Sequence, residues 1–293
     1  MMLSINPIFP LDPITLAILS SIDKNAKILN IDYFVIGAMA REIIVQHVFG
    51  IGTIRATRDI DFAIAVGNWE MFEKFKIQLL QEDSGFTSGN KEEPYRLLYS
   101  MDSNSEKLFR PVDILPFGGI ESYSHSILWP PDLNIIMSVM GFVDASKATV
   151  MVKADSSLTI PVASIPGLAM LKLISWSERT GNNRKDAQDF SLFLHNYADL
   201  GNMERLYGEE LRILEVVKFD TEKAGARLLG KDVASIASNI AKEKIKNIFL
   251  SEKNNDLIII HMAIGNYLDE AKIENTIALL EEFKSGFGND LIL

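Results

Sequence analysis

Apolar residues recur along this chain with two different periods, and the change from one to the other divides it. Residues 13–29 carry apolar positions at helical spacing and lead into Tyr33-Phe-Val-Ile36, a short apolar run that reads as a strand. A tight turn at Gly37-Ala38 follows, then a helical pattern to about Val48. Ile60, Phe62, Ala63, Ile64, Ala65 and Val66 are apolar on both alternations, as in a strand covered on both faces. Helix and strand alternate to about Gln81, and extended runs are predicted over residues 96–99 and 108–115. Residues 148–152 and 158–162, separated by Asp155-Ser-Ser, predict a hairpin, while Gly118-Gly119 and Gly286 to Gly288 read as turns. Ser164-Ile-Pro-Gly has the capping serine and early proline of a helix start. Beyond it the pattern is helical, with amphipathic runs over 222–250 and 256–283; Leu257, Ile258, Ile260, Met262, Ile264 and Leu268 read as core. The pattern predicts an α+β chain, with strands and helices over residues 1–163 and a helical domain over 164–293.

Two acids interrupt the covered strand at its start. Asp59 and Asp61 are two apart, so on a strand their carboxylates share a face, and like charges so close are costly unless a cation lies between them. Mg²⁺ suits that geometry, taking one or two protein carboxylates and completing its shell with water and substrate phosphates. A solvated strand end is the plainer alternative, and the apolar run after the pair argues against it. Asp113 stands alone in the apolar Phe109-Arg-Pro-Val-Asp-Ile-Leu-Pro-Phe117. On an adjacent strand it would complete a three-carboxylate cluster able to hold two ions, against the alternative of a strand-end acid paired with Arg110. Gly37 lets the backbone approach a ligand, and the free N–H groups of the helix it opens favour an anion such as a triphosphate.

A second group lies in the helical half. Lys172, Trp176 and Arg179 are spaced i, i+4, i+7 and share a helix face, where two cations could hold phosphates or form a basic stripe pairing with Glu178 and Asp186. Lys172 sits in an apolar run, where an unpaired ammonium is costly. Asp186 and Asp189 face the same way on the next helix, and Asp186 also suits the first turn as a dipole-favoured acid.

These residues resemble the nucleotidyltransferases of the DNA polymerase β-like fold, and within them the AbiEii-type enzymes found as toxins of toxin–antitoxin pairs. The resemblance runs over about residues 33–197. It is carried by a glycine opening a helix, by Arg55, Thr57, Asp59 and Asp61 in the order Arg-x-Thr-x-Asp-Ile-Asp, by the later strand acid, and by Lys172 and Arg179 followed by Arg184-Lys-Asp-Ala-Gln-Asp-Phe190. It implies transfer of a nucleoside monophosphate from a nucleoside triphosphate to an acceptor hydroxyl by a nucleotidyltransferase domain at 1–163, built as a mixed sheet with flanking helices. Asp59, Asp61 and Asp113 would be metal ligands for two Mg²⁺ ions, with Mn²⁺ as substitute, and with Lys172 the catalytic set. Gly37, Ala38, Thr57, Arg58, Lys172, Arg179 and Asp189 would bind the nucleotide. The family pattern has a second glycine or a serine where this chain has Ala38, so only backbone donors remain there. The implied acceptor is an RNA such as a tRNA 3′ end, or a protein, with an antitoxin protein as partner; a small-molecule antibiotic acceptor and a non-catalytic nucleotide- or partner-binding module are the alternatives.

Composition narrows the setting. The chain has 293 residues, 47% hydrophobic and 23% charged, enough for one large core or two modest ones. It contains no cysteine, which excludes disulfides and thiolate metal sites, and its four histidines, His47, His125, His195 and His261, lack ligand spacing. No apolar run is long enough for a membrane span and the start lacks a basic region before its apolar stretch, so a cytoplasmic protein with no membrane partner is expected. The formal charge of −10 disfavours indiscriminate nucleic-acid binding; the densest basic patch is Arg179, Arg184 and Lys185.

Overall fold

The computed structural model describes residues 2–53, 55, 57–90, 92–103, 106–122, 125–131, 133–179, 184–263 and 270–288. It divides into two compact units, Met1–Ala163 and Ser164–Leu293.

The first unit is built on an eight-stranded mixed sheet. In chain order its strands are β1 (Met2–Ser4), β2 (Tyr33–Ile36), β3 (Ile60–Ala65), β4 (Phe86–Ser88), β5 (Arg96–Ser103), β6 (Glu106–Phe117), then β9 (Thr149–Lys153) and β10 (Thr159–Ala163) after a small two-stranded sheet of β7 (Ser126–Leu128) and β8 (Ile136–Ser138). The spatial order is β1-β9-β10-β2-β3-β6-β5-β4, so β2, β3 and β6 lie in the interior. β3 runs antiparallel to β2 and parallel to β6, and β6 returns antiparallel to β5. Burial on both faces explains why β3 is apolar at every position but Asp61, with Ile60, Phe62, Ala63 and Ile64 fully buried.

Local chemistry sets the helices of this unit. Asp12 caps α1 (Pro13–Leu29) by accepting from the Thr15 N–H at 2.9 Å; the proline takes the first turn, and Asn30 ends the helix in a left-handed conformation. α1 packs on α3 (Trp69–Leu79) and β5. Arg110 of β6 reaches back to it, donating to Thr15 Oγ1 at 3.1 Å. The segment after β2 differs from expectation. No turn separates strand from helix: α2 (Gly37–Arg41) starts at Gly37 and runs directly into a π-helix, Glu42–Val48. The short strands β1, β4, β7 and β8 and helix α4 (Phe142–Lys147) lie outside the sequence-based expectation, because three to six residues carry too little periodicity to register.

The second unit is helical. Ser164 caps α5 (Ile165–Glu178), which is followed by α6 (Arg184–Asn196), a π-helical turn (Ala198–Asn202), α7 (Met203–Tyr207), α8 (Leu211–Val216), α9 (Thr221–Ile236), α10 (Asn239–Leu250), α11 (Glu252–Met262) and α12 (Glu270–Phe287). The amphipathic run over 222–250 is two helices, because Ala237 leaves the helical conformation and Ser238 caps a new start. Ile258 and Met262 are core, as expected, but Ile260 is exposed; Ile264 and Leu268 lie outside the described residues. Gly286 is not a turn: it lies inside α12, against the Arg227 carbonyl of α9, and Gly230 of α9 meets the Phe283 carbonyl in return. Side chains at these two glycines would separate the helices. Phe283 of α12 also packs edge-on against Phe190 of α6, with ring centroids 5.0 Å apart. Among the described residues, no helix is long and apolar enough to cross a membrane.

Candidate active site

Strand register assembles the acids. Ile36 pairs with Asp61, Asp61 with Asp113, and Asp113 with Arg96, so one row crosses β2, β3, β6 and β5. Directly paired residues project to the same face, and Asp59, two before Asp61, joins them just before β3 begins. Ligand oxygens of Asp59, Asp61 and Asp113 all lie within 4.8 Å of one another; Asp113 is buried and the other two half-buried. Each pair of charges at that distance costs on the order of 3 kcal/mol at an effective dielectric near 20.

Arg96 meets part of that cost. Its Nε and Nη2 donate to the two oxygens of Asp113 at 2.7 and 2.8 Å, and Nη1 donates to Glu93 at 2.7 Å. Burial pushes the Asp113 carboxyl above the ordinary range, more than the Arg96 hydrogen bonds lower it, and the nearby Asp59 adds to the rise. Arg110, the alternative partner for Asp113, lies three residues away on the same strand and so projects to the opposite face, where it meets Thr15 and Asp12 of the α1 cap. Arg96 was not among the residues singled out from the sequence, since only the β5–β6 register reveals it.

The helix after β2 shapes the other side of the cluster. Gly37 has φ of +69°, a left-handed conformation, and a Cβ there would collide with Asp61 Oδ2. The glycine is therefore required twice, by backbone conformation and by space. Gly37→Ala is expected to destabilise the fold by about 1–2 kcal/mol from backbone strain alone. It should also displace the Asp61 carboxylate, so a Mg²⁺-dependent rise in melting temperature seen in the wild type should shrink; an unchanged melting temperature would refute the close approach. Ala38 follows in the same turn, half-buried.

The loop that carries Asp59 is tied to this helix. Thr57 donates its hydroxyl to Asp59 Oδ1 at 2.7 Å and its backbone N–H to Glu42 Oε1 at 2.6 Å. Arg41, almost fully buried, donates through Nη2 to Glu42 at 3.0 Å and to the Arg55 carbonyl at 2.9 Å. Burial pushes the Glu42 carboxyl upward against the lowering effects of Arg41 and the Thr57 N–H. Neither Arg41 nor Glu42 was singled out from the sequence, although a charged pair heading Ile43-Ile-Val45 was visible there. Arg58 is exposed.

The remaining residues singled out from the sequence lie in the helical unit. The Lys172 ammonium contacts Asp186 at 2.8 Å and Asp189 at 3.0 Å, all three largely buried. Burial pulls the Lys172 pKa down, but the two carboxylates outweigh it and leave it raised. Trp176, expected on the same face, is buried and donates Nε1–H to His261 at 3.0 Å, whereas Arg179, Arg184 and Lys185 are exposed.

The donor set suits a hard cation. Three carboxylates and no softer ligand are what Mg²⁺ or Mn²⁺ takes, with water and phosphate oxygens filling the other positions. Among the described residues it is the one group of three or more acids or histidines with that geometry.

Comparison with known proteins places no family on the chain: no family model matches it, and no curated protein does. Solved structures do. An antigenic nucleotidyltransferase-like protein from Paracoccidioides brasiliensis is 16% identical, with a TM-score of 0.44, covering 73% of this chain and 95% of its own. JHP933 from Helicobacter pylori is 12% identical, with a TM-score of 0.37 and coverage of 94% and 90%. The Thermotoga maritima CCA-adding enzyme, solved in complex with tRNA, is 13% identical, with a TM-score of 0.25 and coverage of 95% and 74%. The function is therefore read from the carboxylates themselves.

Proposed function

We propose that the chain is a Mg²⁺-dependent nucleotidyltransferase that moves a nucleoside monophosphate from a nucleoside triphosphate to an acceptor hydroxyl. The observation that carries this reading is the convergence of Asp59, Asp61 and Asp113 within 4.8 Å at two neighbouring parallel strands, beside a helix whose opening glycine leaves room for the Asp61 carboxylate. Asp59 and Asp61 would hold both ions, and Asp113 one of them. When bound, they supply Lewis-acid stabilisation of charge on the attacking and leaving oxygens.

The chain's own residues position the reactants. The acceptor oxygen forms a bond to the α-phosphorus, the bond from that phosphorus to the β-phosphate oxygen breaks, and pyrophosphate leaves. The acceptor's proton would pass to the carboxylate of Asp113. Arg96 keeps that carboxylate oriented while leaving lone pairs on both oxygens for a ligand. Backbone N–H groups at Gly37 and Ala38 would meet phosphate, with Thr57 and Arg58 on the adjoining loop. On the pattern of the AbiEii-type enzymes Lys172, Arg179 and Asp189 would also be nucleotide-binding residues, which for Lys172 requires release from Asp186 and Asp189.

That pattern also sets the finer reading: an acceptor that is an RNA, such as a tRNA 3′ end, or a protein, a cytoplasmic setting, and a protein antitoxin as partner. Incubation with each α-labelled nucleoside triphosphate, Mg²⁺, and either tRNA or total cellular protein tests it. Label is expected on one macromolecular fraction and none with Asp59→Ala. Transfer to neither, with no nucleotide-dependent thermal shift, would overturn the reading, while label on an aminoglycoside instead would move the acceptor to small molecules.

A further inference from the structure

The helix that follows β2 is tied to both acids of the Asp59–Asp61 pair, to Asp61 directly and to Asp59 through Thr57. Gly37 sets the space for Asp61 at the helix start. Five residues later, Glu42 reaches the irregular loop before β3, where its Oε1 accepts the Thr57 N–H at 2.6 Å, and the Thr57 hydroxyl in turn donates to Asp59 Oδ1 at 2.7 Å. Asp59 lies before the first residue of β3, so the sheet's own hydrogen bonds do not fix it. Other ties converge on the same loop: Arg41 to the Arg55 carbonyl, Thr53 Oγ1 to Gln46 at 3.1 Å, and the Ile51 N–H to the Val45 carbonyl at 2.9 Å.

Glu42 is also the first residue of the π-helical segment. The wider π turn replaces i→i−4 hydrogen bonds by i→i−5, rotating the side chains after Arg41 relative to an α-helix, and such segments are costly enough to be rare. Here Glu42, Ile43, Ile44 and Val45 are all buried, so an acid is held inside an otherwise apolar helix. An acid in that position is stable only with hydrogen-bond partners, and its partners are Arg41 on its own helix and the loop that bears Asp59.

We infer that Glu42 is a positioning residue for the metal site: acting through Thr57, it fixes the Asp59 carboxylate where the cluster needs it. Arg41 holds the Glu42 oxygen in line, and Thr57 links it to Asp59, its main chain facing the helix and its side chain facing the cluster. Glu42 touches neither the ions nor substrate. Removing it frees the loop, so Asp59 samples orientations in which it cannot share a cation with Asp61 and Asp113. Loss of such an outer contact to a metal ligand lowers metal affinity by about 10–100-fold.

The inference rests on the metal-site reading above, and Mn²⁺ titration of the purified protein, followed by the electron paramagnetic resonance of the free ion, separates the two. Wild-type protein that binds no Mn²⁺ overturns both. With wild-type binding, Glu42→Ala and Thr57→Val are each expected to weaken Mn²⁺ binding about 10-fold or more. Glu42→Gln, which keeps an oxygen acceptor for the Thr57 N–H, should recover most of that loss. The Glu42→Ala, Thr57→Val double variant should be little weaker than either single one, because both break the same connection. Thermal melts run beside the titration identify a purely structural role. A Glu42→Ala protein that melts earlier but binds Mn²⁺ like the wild type below its transition overturns the inference and leaves the metal site intact. If Glu42→Ala fails to fold, the Glu42→Gln and Thr57→Val titrations decide alone, and wild-type affinity in Thr57→Val is the overturning result.

Discussion

Asp61→Asn is expected to lower nucleotidyl transfer by on the order of 10³-fold, because several kcal/mol of metal-borne charge stabilisation depend on its ligand oxygen, at about 1.4 kcal/mol per decade of rate. Asp61 is the strongest choice of the three acids. It occupies the middle of the cross-strand row, paired with Ile36 on one side and Asp113 on the other, and its carboxylate lies against Gly37. An amide has nearly the same shape, so the substitution removes charge without removing packing. Stability should move the other way. In chelator the wild-type cluster carries like charges within 4.8 Å, and one fewer should raise the melting temperature or leave it unchanged. The Mg²⁺-dependent rise in melting temperature should largely vanish. Transfer within tenfold of wild type, or a variant that melts earlier in chelator and still gains fully from Mg²⁺, would remove Asp61 from the metal site.

Much of the site's frame was legible in the sequence, for reasons that differ from residue to residue. Asp59 and Asp61 stood out as acids at the start of an otherwise apolar covered strand, and Asp113 as the single acid in the middle of an apolar run. The strand–helix unit around Gly37 was legible from its apolar run and its glycine, and the helix start at Ser164 from its cap and proline. What escaped was anything set by strand pairing or by helix type. Arg96 lies seventeen residues from Asp113 in sequence, and only the antiparallel register of β5 and β6 brings them face to face. The π-helix has no sequence period of its own that separates it from an α-helix over seven residues, so Glu42 carried no signal beyond its charge. Gly286 was read as a turn because glycine is a common helix terminator; its role in the close α9–α12 crossing depends on a partner helix some sixty residues away.

Lys172→Met is expected to destabilise the protein by about 3–5 kcal/mol, seen as a fall in melting temperature on the order of 10 °C. The ammonium is shared by Asp186 at 2.8 Å and Asp189 at 3.0 Å, and both carboxylates are almost fully enclosed. Without it two buried negative charges, three residues apart on α6, lose the cation that α5 brings to them, where solvent cannot answer them. The sign of the pH dependence follows from the raised Lys172 pKa. A base whose folded pKa exceeds its unfolded value of 10.5 contributes stability that is fully present below that value and is lost as pH rises through the folded one. The difference between wild type and Lys172→Met should therefore be constant near neutrality and narrow in strong alkali. Adding Asp189→Asn to Lys172→Met should restore part of the loss by removing one of the two buried carboxylate charges, even though the double variant departs further from the native sequence. These outcomes would make Lys172 chiefly the internal counter-ion of the helical unit. An unchanged melting temperature together with a raised Michaelis constant for the nucleoside triphosphate would instead make it a phosphate-binding residue, since that combination requires an ammonium that leaves its two aspartates for the substrate.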